Sequence, residues 1–203
     1  ENNKRISGLK YKFQEEIYTV NIKESVILSS GAYGTPKLLM LSGIGNREEL
    51  EKINIECKID LPNVGKNLID HLNGYMLFFS TPTSTYDNNL VGVFTHTNLD
   101  NNSNIDDIPD IEFSVTRAPS ISGEYFKFSP LSGYLFAFFL LIHDGVGYIK
   151  LKDNNYSSDM EIRSNILKSE TDVQKCIFGF KKLIEWIKLL KSQGQWSFQF
   201  NID

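Results

Sequence analysis

Cysteine is scarce. Cys57 and Cys176 are the only two among 203 residues, which excludes a disulfide scaffold as the main source of stability and leaves room for one bridge at most. Long apolar runs are also missing. The longest, Tyr134 to Ile142, holds nine residues, whereas a membrane-spanning helix needs about 20. That run is expected to be a buried strand. Excess positive charge is absent too: the formal net charge is -4, so the basic face of a nucleic-acid binder is not expected. There are three histidines and no C-x-x-C or H-x-x-x-H spacing, so no dedicated metal site is expected. A complete G-x-S-x-G is lacking around Ser42, which removes the nucleophile elbow of acyl-transfer enzymes. What remains is ordinary globular material, 41% hydrophobic and 23% charged.

Periodicity places the elements. Leu9 to Phe13 alternates apolar and polar residues and Ile17 to Lys23 resumes the alternation, two strands around a turn at Glu15-Glu16. Ser25 to Ser30 is a short apolar run ending in small residues, the pattern of a buried parallel strand. A helix is expected next, with Thr35 as N-cap and Pro36 as first helical residue, closing at Ser42-Gly43. Asn46 caps a second short helix with Glu48 and Glu49 in its first turn. Ile55 to Leu61 and Gly74 to Ser80 read as strands on either side of a polar loop over residues 63–71. Residues 81–109, rich in Asn, Asp, Ser and Thr, read as a surface insertion. Asp110 to Val115, Tyr134 to Ile142 and Gly147 to Leu151 follow as strands. The last element is a helix capped by Thr171, with Val173, Ile177, Phe180, Ile184 and Ile187 as its apolar stripe.

Three local patterns could carry chemistry. At Ser30-Gly31-Ala32, small residues between a strand and a helix either admit a dinucleotide phosphate or ribose, or make a tight turn with no ligand. Asn67, Asp70 and His71 share a polar loop, either a cofactor-facing cluster or a local hydrogen-bonded pair. The aromatic run at Tyr134, Phe136, Phe138 and Phe139 lacks interleaved Arg or Lys, so it reads as core and not as a stacking platform.

Taken in order, several segments resemble the glucose–methanol–choline (GMC) family of flavoprotein oxidoreductases. Gly31-Ala32, Thr35-Pro36 and Leu38-Leu39-Met40-Leu41-Ser42-Gly43-Ile44-Gly45 are similar to its second signature. Asp60-Leu61-Pro62-Asn63-Val64-Gly65-Lys66-Asn67-Leu68-Ile69-Asp70-His71 is similar to the segment after it. Ser7 to Tyr11, Asp110 to Phe113 and Gly147 to Leu151 suit the strands around them, with the best match over residues 1–80. Ser30 stands where the family usually has Ala, and Asn46 where it has Pro. The resemblance implies an α+β fold: an α/β FAD-binding part over residues 1–72, and an antiparallel-sheet substrate part with a C-terminal helix over 73–203. Together these would form an incomplete two-domain flavoprotein.

The implied parent is an FAD-dependent oxidoreductase acting on CH–OH donors, glucose dehydrogenase-like, with an alcohol or sugar as its small-molecule substrate. Ser30, Gly31, Ala32, Asn67, Asp70 and His71 are the implied cofactor-binding residues, and no catalytic residue is assigned. The family's Gly-rich phosphate loop and its late histidine match nothing here, so the 203 residues are expected to hold FAD poorly and to be inactive alone. The alternative is a non-catalytic binding module derived from the same fold. Similarity to insect dehydrogenases of the family makes secretion an expectation, although the chain carries no address.

Overall fold

The computed structural model describes residues 5–80, 91–99, 108–117 and 132–193. Eleven strands and three helices occur among them: β1 (Gly8–Phe13), β2 (Glu16–Asn21), α1 (Gly31–Leu41), β3 (Ile44–Gly45), α2 (Arg47–Glu51), β4 (Ile59–Asp60), β5 (Lys66–Leu68), β6 (Leu72–Ser80), β7 (Val91–Thr95), β8 (Ile111–Arg117), β9 (Ser132–Leu140), β10 (Gly147–Leu151), β11 (Met160–Arg163) and α3 (Glu170–Ser192). The sheets run β1-β2, β3-β4, β11-β10-β5 and β6-β9-β8-β7. Glu1–Lys66 with Ile149–Glu161 make one compact unit, and Asn67–Tyr148 with Ile162–Asp203 the other.

In the first unit, β1 and β2 form an antiparallel hairpin whose turn falls at Gln14 and Glu15, both with positive φ. That is one residue earlier than expected, because a two-residue hairpin turn needs left-handed backbone at both central positions. Ser25 to Ser30 is not a strand: it has no ladder partner among the described residues, and Ile27 is 87% exposed. Its apolar run meets the composition of a buried strand, but a strand is held by neighbouring backbone, which sequence pattern cannot supply.

Helix α1 starts at Gly31, not at Pro36, which lies inside it. Gly31 has φ +76°, and this left-handed step turns the chain into the helix directly after Ser30. Thr35 still works at this end, its Oγ1 accepting the Ser30 N–H at 3.1 Å. Asn46 caps α2 as expected, accepting the Glu49 N–H at 3.0 Å, and Leu50 is buried. The strand expected over 55–61 shrinks to β4, which pairs in parallel with β3.

The second unit centres on the antiparallel sheet β6-β9-β8-β7, with β9 inside as its apolar run predicts. The alternating residues Phe136, Phe138 and Leu140 of β9, with Ile111 and Phe113 of β8, pack against Leu183 of α3. Trp186 meets Phe113 edge-on at 4.7 Å. Within the expected 81–109 insertion, β7 is ordered by pairing with β8, while 81–90 and 100–107 lie outside the described residues. The 63–71 loop likewise contains β5.

The cap of α3 is Ser169, whose side chain accepts the Thr171 N–H, and not Thr171 itself. Its buried face is also rotated from the expected stripe. Asp172, Lys175, Gly179 and Leu183 are buried, whereas Ile177 and Phe180 are exposed. Hydrophobic spacing alone misses this face because two of its members are charged and one is glycine. Both cysteines are free thiols, so the one bridge allowed by their number is not formed.

Candidate functional site

The turn into α1 presents Ser30, Gly31 and Ala32 together, all exposed. The Ser30 side chain makes no cap hydrogen bond, and the first turn holds no acidic residue. Its leading N–H groups therefore lack the side-chain acceptor that usually satisfies a helix start. A Cβ placed on Gly31 would find nothing within 4 Å. This open, donor-rich end fits the polar, anionic part of a dinucleotide.

A cleft of about 880 Å³ lies elsewhere in the same unit, between Ile6, Leu9, Val26, Leu28, Leu38 and Ile59 among others. None of the expected cofactor residues lines it. Its walls mix these aliphatic side chains with Arg5, Lys10, Ser42, Glu56 and Lys58, and it stands apart from the small-residue pattern at the helix start.

Asn67, Asp70 and His71 lie in the second unit and are exposed. Asn67 has φ +57°, in the left-handed region that asparagine tolerates better than most residues. The loop is engaged by His143, whose Nε2 lies 2.6 Å from the Asp70 carbonyl oxygen, while its Nδ1 accepts the Gly145 N–H at 3.1 Å. A carbonyl can only accept and an amide N–H only donate, so the proton sits on Nε2. The pair formed is thus His143 with the Asp70 backbone. The 73 positions separating them left no local signal.

Another cluster missed by sequence reasoning is the knot around Glu49. Its Oε1 lies 2.8 Å from Lys66 Nζ and 2.9 Å from Lys150 Nζ, all three side chains being about a third exposed or less. Burial pushes the Glu49 carboxyl up, but hydrogen bonds and charge from Lys66 and Lys150 outweigh it and hold the group below its ordinary 4.5. A carboxylate depressed in the folded state contributes stability above its ordinary pKa and loses it as pH falls through the lowered value. Glu49→Gln is expected to cost about 1 kcal/mol at neutral pH. In urea titrations at a series of pH values, its difference from wild type should shrink towards zero in acid. A constant difference across that range contradicts the ion-pair account.

Cys176 is no candidate nucleophile. Burial and the neighbouring Asp172 charge push its thiol up, which keeps it protonated. Among the described residues, no group of three or more His, Cys, Asp or Glu could hold a metal ion, and no helix is long and apolar enough to cross a membrane.

Residues 1–73 match the family model of GMC oxidoreductase. The chain is 48% identical over 73 residues to an oxygen-dependent choline dehydrogenase of Staphylococcus aureus (strain MSSA476), and 50% identical over 72 residues to that of Staphylococcus saprophyticus. Each alignment covers 36% of this chain and 13% of the relative. Among solved structures, the Aspergillus oryzae formate oxidase superposes with a TM-score of 0.75 at 19% identity, over 91% of this chain and 40% of that one. Pyridoxine 4-oxidase from Mesorbium loti superposes at 0.65 and 23%, over 85% and 34%. The chain thus spans well under half of the proteins it matches, and the fold likeness extends beyond the segment of sequence likeness. By these matches residues 1–73 are similar in sequence to GMC oxidoreductases, and the chain shares the fold of the solved structures it superposes on.

Proposed function

We propose that this chain forms part of an FAD-dependent oxidoreductase that oxidises the CH–OH group of a small alcohol. The observation that carries the reading is the identity of 48% over 73 residues with a choline dehydrogenase, because that segment holds the open helix start at Ser30–Ala32. When bound, FAD would accept the hydride released from the carbinol carbon. This chain's own contribution is binding and orientation. The N–H groups at Gly31 and Ala32, with the exposed Ser30 side chain beside them, would face the cofactor's negatively charged or ribose portion. Asn67, Asp70 and His71 would supply polar contacts from the segment that His143 anchors. The first unit serves as part of an FAD-binding domain and the four-stranded sheet as part of a substrate domain. The names of the relatives point to choline more than to the glucose dehydrogenase-like donor suggested by sequence resemblance.

A segment exchange tests this. Residues 1–73 would replace the aligned segment of the Staphylococcus aureus choline dehydrogenase. The chimera is expected to purify yellow and to have its flavin bleached by choline without oxygen, and Gly31→Val in it should lower flavin content. A folded chimera that stays colourless in excess FAD refutes the assignment. The 203-residue chain alone is expected to bind FAD weakly, since no G-x-G-x-x-G lies within it to cradle the pyrophosphate. Stoichiometric flavin on that chain overturns this part.

A further inference from the structure

The loop between β10 and β11 carries a pattern that the likeness to GMC oxidoreductases does not use. Asn155-Tyr156-Ser157 has the form N-x-S without a central proline, the acceptor form for an N-linked glycan. The sequence holds one other such triplet, Asn101-Asn102-Ser103, which lies outside the described residues. A triplet of this kind can carry a sugar only where the folded chain leaves room for one. The surroundings of Asn155 therefore decide.

Those surroundings are open. Residues 152–157 are all exposed, Tyr156 at 67%. The triplet belongs to neither flanking strand, so bulk added there breaks no ladder hydrogen bond. The loop is nevertheless held in place. Asn155 N–H donates to Asp153 Oδ1 at 2.7 Å, and Ser157 N–H donates to Asn155 Oδ1 at 3.0 Å, two successive turns closed by side-chain oxygens. From α1, Lys37 Nζ donates to the Ser158 carbonyl at 2.8 Å and lies 5.1 Å from the centre of the Tyr156 ring, within cation–π range.

This turn sorts the two ends of the Asn155 amide. Oδ1 accepts the Ser157 N–H, whereas Nδ2 makes no hydrogen bond among the described residues. Nδ2 is the atom that an N-linked sugar occupies. Exchanging one of its hydrogens for a sugar leaves every hydrogen bond just named intact.

We propose that Asn155 is the attachment site of an N-linked glycan. The donor is an oligosaccharide carried on a lipid diphosphate. A bond forms between Nδ2 and the anomeric carbon of the first sugar, and the bond from that carbon to the diphosphate oxygen breaks. The lipid diphosphate leaves with that electron pair, the amide gives up one proton, and nothing is oxidised or reduced. Such a site implies passage through a secretory compartment. It rests on the loop alone and not on the flavin reading.

The test uses the 203-residue chain, produced behind a secretory leader in cultured animal cells and digested with trypsin, which separates residues 153–163 from Asn101. Enzymatic removal of the sugar in heavy-oxygen water is expected to leave a labelled aspartate at position 155. Ser157→Ala should abolish the label and Ser157→Thr should keep it. Asn155→Asp, which retains an oxygen to accept the Ser157 N–H, should carry no sugar. Transfer takes place on the emerging chain, so a variant that folds badly is read in the same way. An unlabelled position 155, a label that survives Ser157→Ala, or sugar confined to Asn101 overturns the assignment. The same peptide from the protein in its own source should also carry the sugar, and a bare peptide there overturns the site whatever the cultured cells show. A colourless choline dehydrogenase chimera leaves the site standing, and a bare Asn155 leaves the enzyme reading standing.

Discussion

Asp110→Ala is expected to destabilise the second unit by about 3–5 kcal/mol. Lys175 is 2% exposed and Asp110 6%, with the Lys175 ammonium 3.4 Å from Asp110 Oδ2. The ammonium also donates to the Ile142 carbonyl at 3.0 Å. Asp110 in turn accepts the Thr97 N–H at 2.7 Å and the Thr97 hydroxyl at 2.5 Å. Removing the carboxylate takes a counter-charge from a buried ammonium and the acceptor from two Thr97 donors together. Lys175→Met leaves Asp110 with both Thr97 hydrogen bonds, so a smaller loss, about 2 kcal/mol, is expected. The double variant should be clearly more stable than the sum of the two losses, since no charge is left without its partner. Urea unfolding followed by Trp186 fluorescence measures all three. Simple additivity, or a loss below about 1 kcal/mol for Asp110→Ala, refutes the pairing as an energetic unit.

Phe138→Ala should cost a comparable amount, about 3–5 kcal/mol, because a fully buried ring leaves a cavity that its rigid surroundings fill poorly. The ring sits between two glycines. A Cβ on Gly74 would come within 2.4 Å of it, and one on Gly179 within 2.7 Å. Gly179 therefore allows α3 to approach the sheet. Helix propensity alone predicts that Gly179→Ala stabilises by about 1 kcal/mol, whereas the contact predicts a loss of about 1–3 kcal/mol from overpacking. The contact should win in wild type. In the Phe138→Ala background, the ring is gone and propensity should take over, so the same substitution should stabilise. Failure of the sign to reverse between the two backgrounds excludes the close-approach explanation.

The same two glycines show where sequence reading succeeds and stops. The run 134–142 announced a buried element, a strand or a short helix, and the structure makes most of it the strand β9. The α3 helix was legible from period and composition, but its buried face was not. Burial of Lys175 and Asp172 depends on acceptors and donors elsewhere in the chain, and Gly179 faces inward because of a ring 41 positions earlier. Similarly, Ser30, Gly31 and Ala32 could be singled out from a local pattern. The hydrogen bond from His143 to Asp70 could not, since neither residue carries any mark of the other.

By itself, then, the sequence determined what local chemistry and family likeness can carry: the hairpin, the Asn46 cap, the central aromatic strand, the long final helix and the GMC segment. Only the tertiary structure decided which side chains meet. It brought Ile149–Glu161 back to the first unit, left Ser25–Ser29 without a sheet neighbour among the described residues and put Glu112 beside Phe139 and Phe94 in the sheet register. Each outcome depends on partners distant along the chain. Their geometry is set when strand pairing fixes the register, and no local pattern of residues encodes it.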